Sequence, residues 1–172
     1  TPKPPRILVY GVQGIGKTTF AASAPSPVVI QTEDGLGTLD VATFPLAKTY
    51  QDVMDALTVL ATEPHEFQSV IIYSLVWFEP LVSQHTLRQH PTTEKGVAVA
   101  NIDDYGFGKG FNLATDYWRD YIDALNYLRD QRSMTIIQIA HTTIKRFDSP
   151  EAEPYDRYQI KLHRAAGGLV LE

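Results

Sequence analysis

Eight consecutive residues, Gly11-Val12-Gln13-Gly14-Ile15-Gly16-Lys17-Thr18, fill every position of the pattern in which a glycine-rich turn cradles phosphate groups. The chemistry follows from the residue types. Without a Cβ, Gly11, Gly14 and Gly16 accept positive φ, which lets backbone N–H groups converge on an anion. The ammonium of Lys17 is expected to reach the β- and γ-phosphates as a point charge, and the hydroxyl of Thr18 to ligate a magnesium ion bridging them. Thr19 extends the same first turn. A nucleoside triphosphate with Mg2+ is the ligand this set implies. A second chemical group stands further on. In Thr32-Glu33-Asp34-Gly35, Glu33 is placed to act as a general base on a water attacking the γ-phosphate. Position alone leaves that role open against a solvated loop acid.

Such a loop works only between a strand and a helix, and the flanks supply both. Ile7 to Tyr10 reads as a buried strand, and a helix runs from Lys17 to about Ala24, before Pro25. Further β-branched runs at Val28 to Gln31, Val70 to Tyr73 and Met134 to Ala140 alternate with stretches of helical periodicity. One helix is expected from about Gln51 to Ala61, another starting near Trp77 to Pro80, and the clearest from about Leu113 to Gln131. This alternation predicts an α/β fold, a mainly parallel sheet flanked by helices. Glu33 then falls at the carboxyl edge of the sheet, where open α/β sheets bind ligands. Two long segments, 88–111 and 142–158, read as irregular.

Composition bounds the reading. With 172 residues and 44% hydrophobic content, one domain over 1–172 is expected. The absence of cysteine excludes disulfides, thiolate metal sites and cysteine nucleophiles, and suits a reducing cytoplasm. No segment has signal-peptide order or membrane-spanning length. A net charge of −5 argues against nucleic-acid binding over the whole surface. Local contact stays open, because Lys145, Arg146, Arg157, Lys161, His163 and Arg164 gather near the C-terminus, interleaved with Asp148, Glu151, Glu153 and Asp156.

The order of these pieces resembles the RecA-like P-loop ATPases, and is most similar to the phage ATP-binding proteins associated with single-strand annealing and recombination. The likeness rests on the Gly11 to Thr18 loop, Gln31-Thr32-Glu33-Asp34-Gly35-Leu36-Gly37, Asp104-Tyr105-Gly106-Phe107-Gly108-Lys109-Gly110, and Ile139-Ala140-His141 followed by Lys145-Arg146-Phe147. It covers nearly the whole chain. The resemblance implies ATP as the nucleotide, Glu33 as the catalytic glutamate and His141 as the residue that senses the γ-phosphate. It also implies single-stranded DNA as a partner, gripped by the two irregular segments. Phe107 and Lys109 would contact DNA from the first, alongside Tyr105 and Phe111, unless these aromatics dock the loop on the core. Lys145 and Arg146 would do so from the second, or reach the nucleotide of a neighbouring subunit. A homo-oligomer with nucleotide near its subunit borders follows, located in the host cytoplasm if the protein is phage-encoded.

Two departures bear on activity. Where the family places an Asp at the end of the third strand, to hold magnesium through water, this chain has Tyr73. A neutral phenol does not replace a carboxylate, so hydrolysis is expected to be slow or lost, with Asp34 or Glu79 as candidates to compensate. The chain also stops at Leu169-Val170-Leu171-Glu172, as another element begins, which reads as a trimmed core or a compact variant. The alternatives to a DNA-recombination ATPase are a nucleotide-binding assembly module with little turnover, and a small-molecule kinase. Scarcity of Arg between Gly106 and Thr143 disfavours the kinase, which commonly uses an Arg-rich lid.

Overall fold

The computed structural model describes residues 2–149 and 152–171, and for 147–149, 152–155 and 157 the backbone alone. Glu151 and the side chains of Asp148, Glu153 and Arg157 therefore lie outside the described part of the molecule. In chain order the elements are β1 (Arg6–Gly11), α1 (Lys17–Ala22), β2 (Pro27–Gln31), β3 (Ala42–Thr43), α2 (Tyr50–Thr62), β4 (Ser69–Tyr73), α3 (Leu75–Gln89), a 3-10 turn (Ile102–Tyr105), α4 (Lys109–Gln131), β5 (Thr135–Ser149), β6 (Ala152–Ile160) and α5 (Arg164–Leu171).

The sheet runs β1-β5-β4-β2-β3, with every one of these pairs parallel, and β6 joins β5 antiparallel. Parallel strands are covered on both faces, so their side chains must be apolar in both directions. Strand β2 shows this directly. Val28 and Ile30 enter the larger core with α2, α3, α4 and α5, whereas Val29 faces the smaller cluster of Ala21, Ile71, Tyr73, Ile137 and Ile139 beneath α1. Each fully buried Leu, Ile or Phe contributes on the order of 1.5–3 kcal/mol relative to exposure. Tyr121, wholly inside, satisfies its hydroxyl by donating to Gln138 Oε1 at 2.8 Å.

Local chemistry sets several boundaries. Helix α2 starts at Tyr50 because Thr49 caps it: Thr49 Oγ1 accepts from the Asp52 amide, and the Asp52 carboxylate accepts from the amide of Thr49 in return. Helix α3 begins at Leu75, earlier than the Trp77 to Pro80 start that sequence suggests, so Pro80 lies inside it, where it removes one main-chain hydrogen bond.

The two segments read as irregular are largely ordered. Residues 142–158 form a β-hairpin, since β5 runs on past the sheet to Ser149 and returns as β6, with Thr142 opposite Ile160 and Lys145 opposite Arg157. The β-branched Thr142, Thr143 and Ile144 start it opposite Ile160, Gln159 and Tyr158, and the dense charges that follow hid it. In 88–111, α3 continues to Gln89, Thr92 bridges Ala98, and α4 already starts at Lys109. Gly110 explains that early start. A Cβ there would lie 2.0 Å from the Ile102 carbonyl oxygen, so only glycine lets α4 begin against the 3-10 turn. The C-terminal residues form α5, whose Ala166 and Val170 enter the larger core.

Candidate functional site

Strand β1 delivers the glycine loop to the carboxyl edge of the sheet, and α1 carries it away. Gly14 and Gly16 have φ of +81° and +96°, the conformation an anion nest requires. Gly11 does not share it. As the last residue of β1 it serves spacing instead, because a Cβ there would meet Ile15 Cγ2 at 3.2 Å. Lys17 is 7% exposed, and its ammonium donates to the carbonyls of Gly11 at 2.9 Å and Val12 at 2.8 Å. Burial pushes its pKa down and the Glu33 carboxylate pulls it partly back. A cleft of about 210 Å³ opens over the loop, lined by Gln13, Gly14, Gly16, Lys17, Thr18, Thr19, Tyr73 and His141. Val12 and Ile15 lie at its surface, 41% and 67% exposed.

Three strand ends converge there. The register sets Gln31 beside Tyr73, Tyr73 beside Ile139, and Gly11 beside His141. Thr32 ties β2 to β4: its amide donates to the Tyr73 carbonyl at 2.6 Å, and its hydroxyl accepts from the Ser74 amide at 2.9 Å and donates to the Ser74 carbonyl at 2.7 Å. Glu33 follows directly and reaches His141, which lines the cleft. Glu33 Oε1 accepts from the Ser74 hydroxyl, and His141 Nε2 stands 3.2 Å from the same oxygen, with the Nε2–H tautomer donating. The structure thus brings Lys17, Thr18, Glu33 and His141 together. Thr32 and Ser74 escaped sequence reading, although a Ser directly after the last β4 residue was a visible signal.

Tyr73 is 8% exposed, with its ring in the smaller apolar cluster. Its hydroxyl donates to the Gly35 carbonyl at 3.3 Å, and Tyr73 lines the cleft together with Thr18. Burial, then the nearby Glu33 charge, raises its pKa, so the phenol is neutral at physiological pH. Asp34 and Glu79 are the acids expected to compensate. Asp34 is exposed on the β2–β3 connection, and Glu79 accepts from the His163 amide at 2.8 Å, its pKa raised chiefly by burial. Among the described residues no group of three or more His, Asp or Glu could hold a metal ion. The cleft's glycine-loop residues, lysine and hydroxyls of Thr18 and Thr19 suit the phosphates of a nucleotide.

The remaining candidates lie apart from this cleft. Lys109 pairs with Glu94 at 3.1 Å, both well exposed, an arrangement of little energetic weight. Of the aromatics in the first segment, Tyr105 is buried with its hydroxyl on the His90 carbonyl, and Phe111 stacks on His163 with ring centroids 3.6 Å apart. Docking thus accounts for both. Phe107 alone stands fully exposed. Lys145 and Arg146 are exposed on the projecting part of β5, and Lys145 lines a groove of about 920 Å³ with Tyr10, Tyr158, Lys161 and Arg164.

With this geometry, the sequence matches the AAA domain family over residues 3–172. The chain belongs to the AAA domain family. No curated protein matches the sequence. Membership accords with the parallel sheet and glycine loop and makes this a P-loop domain of the nucleotide-binding ATPase type. Among the described residues no helix of this AAA domain is long and apolar enough to cross a membrane.

Proposed function

We propose that this AAA domain binds ATP at the β1–α1 loop and is an ATPase of low turnover that acts on single-stranded DNA in recombination or annealing of the phage type. The observation that carries the reading is the contact of Glu33 with His141, which lines the same cleft as Lys17 and Thr18. Lys17 and the loop amides hold the β- and γ-phosphates. Glu33 orients and deprotonates the attacking water, and Ser74 fixes the carboxylate meanwhile. His141, between Glu33 and the start of the β5–β6 hairpin, links the γ-phosphate to that hairpin. Lys145 and Arg146 on the hairpin, with Phe107 and Lys109 at the start of α4, are the DNA contacts or reach a neighbouring subunit's nucleotide in a homo-oligomer. Mg2+ accompanies the triphosphate, with Thr18 as its protein ligand.

A specific observation favours a second reading. Tyr73 occupies the position of the metal-holding carboxylate in a slot shaped for it, which suits a module that uses ATP as an assembly ligand with little or no hydrolysis. Phosphate release from ATP and Mg2+, with and without single-stranded DNA and with Lys17→Ala as control, separates the two. DNA-stimulated release that Lys17→Ala abolishes is the expected result for the recombination ATPase. ATP-dependent self-association without release assigns the assembly module, and no ATP binding overturns both.

A further inference from the structure

The chain carries a net charge of −5, yet one groove gathers the opposite sign. The groove of about 920 Å³ bounded by the β5–β6 hairpin, α5 and the start of α3 is lined by Lys145, Lys161 and Arg164, with Glu79 as the one acid among the described residues. Glu79 is already engaged, since it accepts from the His163 amide at 2.8 Å. The three cations are exposed, and among the described residues none of them enters an ion pair. Like charges sharing a groove repel one another and favour an anionic occupant. Two aromatic rings share the same space. Side chains alternate along a strand, so Tyr10 is on the face of Leu8 and Tyr158 on the face of Ile160, and both Leu8 and Ile160 pack on the larger core. The rings thus stand on the side that α5 covers, 47% and 59% exposed. The helix wall beside them is bare: Gly168 lines the groove, and a Cβ there would meet nothing within 4 Å, so packing does not call for glycine at a position where helices disfavour it.

Resting on the proposed action on single-stranded DNA, we infer that this groove holds the bases of the strand: unpaired bases stack on Tyr10 and Tyr158, while Lys161 and Arg164, with Lys145 on the hairpin, neutralise the backbone phosphates. Stacking is what separates a single strand from other polyanions. A duplex keeps its bases stacked on one another and shows the cations only charge, whereas an unpaired strand offers base faces that tyrosine rings cover. The volume lies within the range of about 300–1,000 Å³ typical of small-ligand pockets, which suits a few bases and not a folded partner. Lys161 also ties the groove to the nucleotide cleft. Its amide donates to the His141 carbonyl at 2.9 Å, and His141 Nε2 stands 3.2 Å from Glu33 Oε1, so strand and triphosphate lie at the two ends of one short chain of bonds. The assignment adds Tyr10, Tyr158, Lys161 and Arg164 to the DNA contacts on the hairpin and at the start of α4.

The test is binding of fluorescein-labelled oligo(dT) to the full chain, read by anisotropy, for wild type, Tyr10→Ala, Tyr158→Ala and the double variant Lys161→Ala/Arg164→Ala. Each tyrosine variant is expected to raise Kd about fivefold or more, the loss of one base stack. The double variant should flatten the slope of log K against log salt by about 0.7 for each phosphate contact removed. A Kd within about twofold of wild type in both tyrosine variants overturns the proposal, and so does duplex DNA that competes as well as unlabelled oligo(dT). Where a variant melts below wild type, wild type itself decides: oligo(dT) carrying 5-iodouracil, irradiated in the complex, is expected to cross-link to Tyr10 or Tyr158, and cross-links confined to residues outside the groove overturn the proposal. Failure of this inference differs from failure of the reading beneath it. No oligo(dT) binding by wild type removes action on single-stranded DNA altogether, whereas binding that survives the groove variants and is lost in Phe107→Ala/Lys109→Ala leaves that reading standing and moves the strand to the turn before α4.

Discussion

Two neighbouring sets of side chains at the cleft, its first and second walls, are built from opposite materials. In the first, Glu33, Ser74 and His141 form a polar, chargeable chain around a single carboxylate oxygen, anchored by the Thr32 bonds between β2 and β4. In the second, Tyr73 presents a neutral phenol from an apolar cluster and meets Gly35. The first wall has what is needed to orient a water. The second lacks what is needed to concentrate a metal. On the proposed ATPase reading, water activation and metal handling are separable in one P-loop site, and each can be altered through its own wall.

The largest effect is expected from the first wall. Glu33→Gln retains the shape and the Ser74 contact but not the base, and phosphate release should fall about 10²-fold or more while ATP affinity changes little. Equal loss of binding and release would show that Glu33 positions nucleotide instead. Next comes the floor shared by both walls. Lys17→Ala removes a charge-assisted phosphate contact, and Kd for ATP should rise on the order of 10- to 100-fold by calorimetry. An unaltered Kd would mean that the ammonium stays on the carbonyls of Gly11 and Val12 in the complex. Third, Tyr73→Asp should raise Mg2+-supported phosphate release by about tenfold, the effect of roughly 1.4 kcal/mol of added metal interaction. No gain at saturating Mg2+ would return the limit on turnover to the first wall. The smallest is Tyr73→Phe. Loss of the bond to Gly35 should lower stability by about 0.5–1.5 kcal/mol, read as a fall in Tm of a few degrees, and a larger fall would show that the slot depends on the hydroxyl more than on the ring.

The floor of the cleft and Glu33 were legible from sequence, and the second wall only as a substitution. Glycines, a lysine and a threonine at fixed spacing state their chemistry locally, and Glu33 after a β-branched run states its place at the sheet edge. Tyr73 could be recognised as a missing carboxylate, but its packing on Ile137 and its approach to Gly35 depend on strands 38 to 64 residues away in sequence. Ser74 and Thr32 were hidden for the same reason, because their bonds cross from β4 to β2. The parallel sheet was readable because buried strands are apolar on both faces. The hairpin of β5 and β6 was not, since its charged residues mask the alternation that pairs Thr142 with Ile160. Short β3, two residues long, leaves no periodic signal at all.

Beyond the cleft, the turn before α4 carries three successive residues at positive φ, Gly106 at 72°, Phe107 at 49° and Gly108 at 71°. It is fastened at one end by the Tyr105 hydroxyl on His90 and at the other by the close seat of Gly110 on Ile102. Phe107 is thereby a fixed peg and not a waving flap. Its main-chain freedom is surrendered during folding, so docking of the ring on any surface has only side-chain torsions left to immobilise, about 0.5–1.5 kcal/mol of entropy in place of the far larger loss that ordering a whole loop would entail.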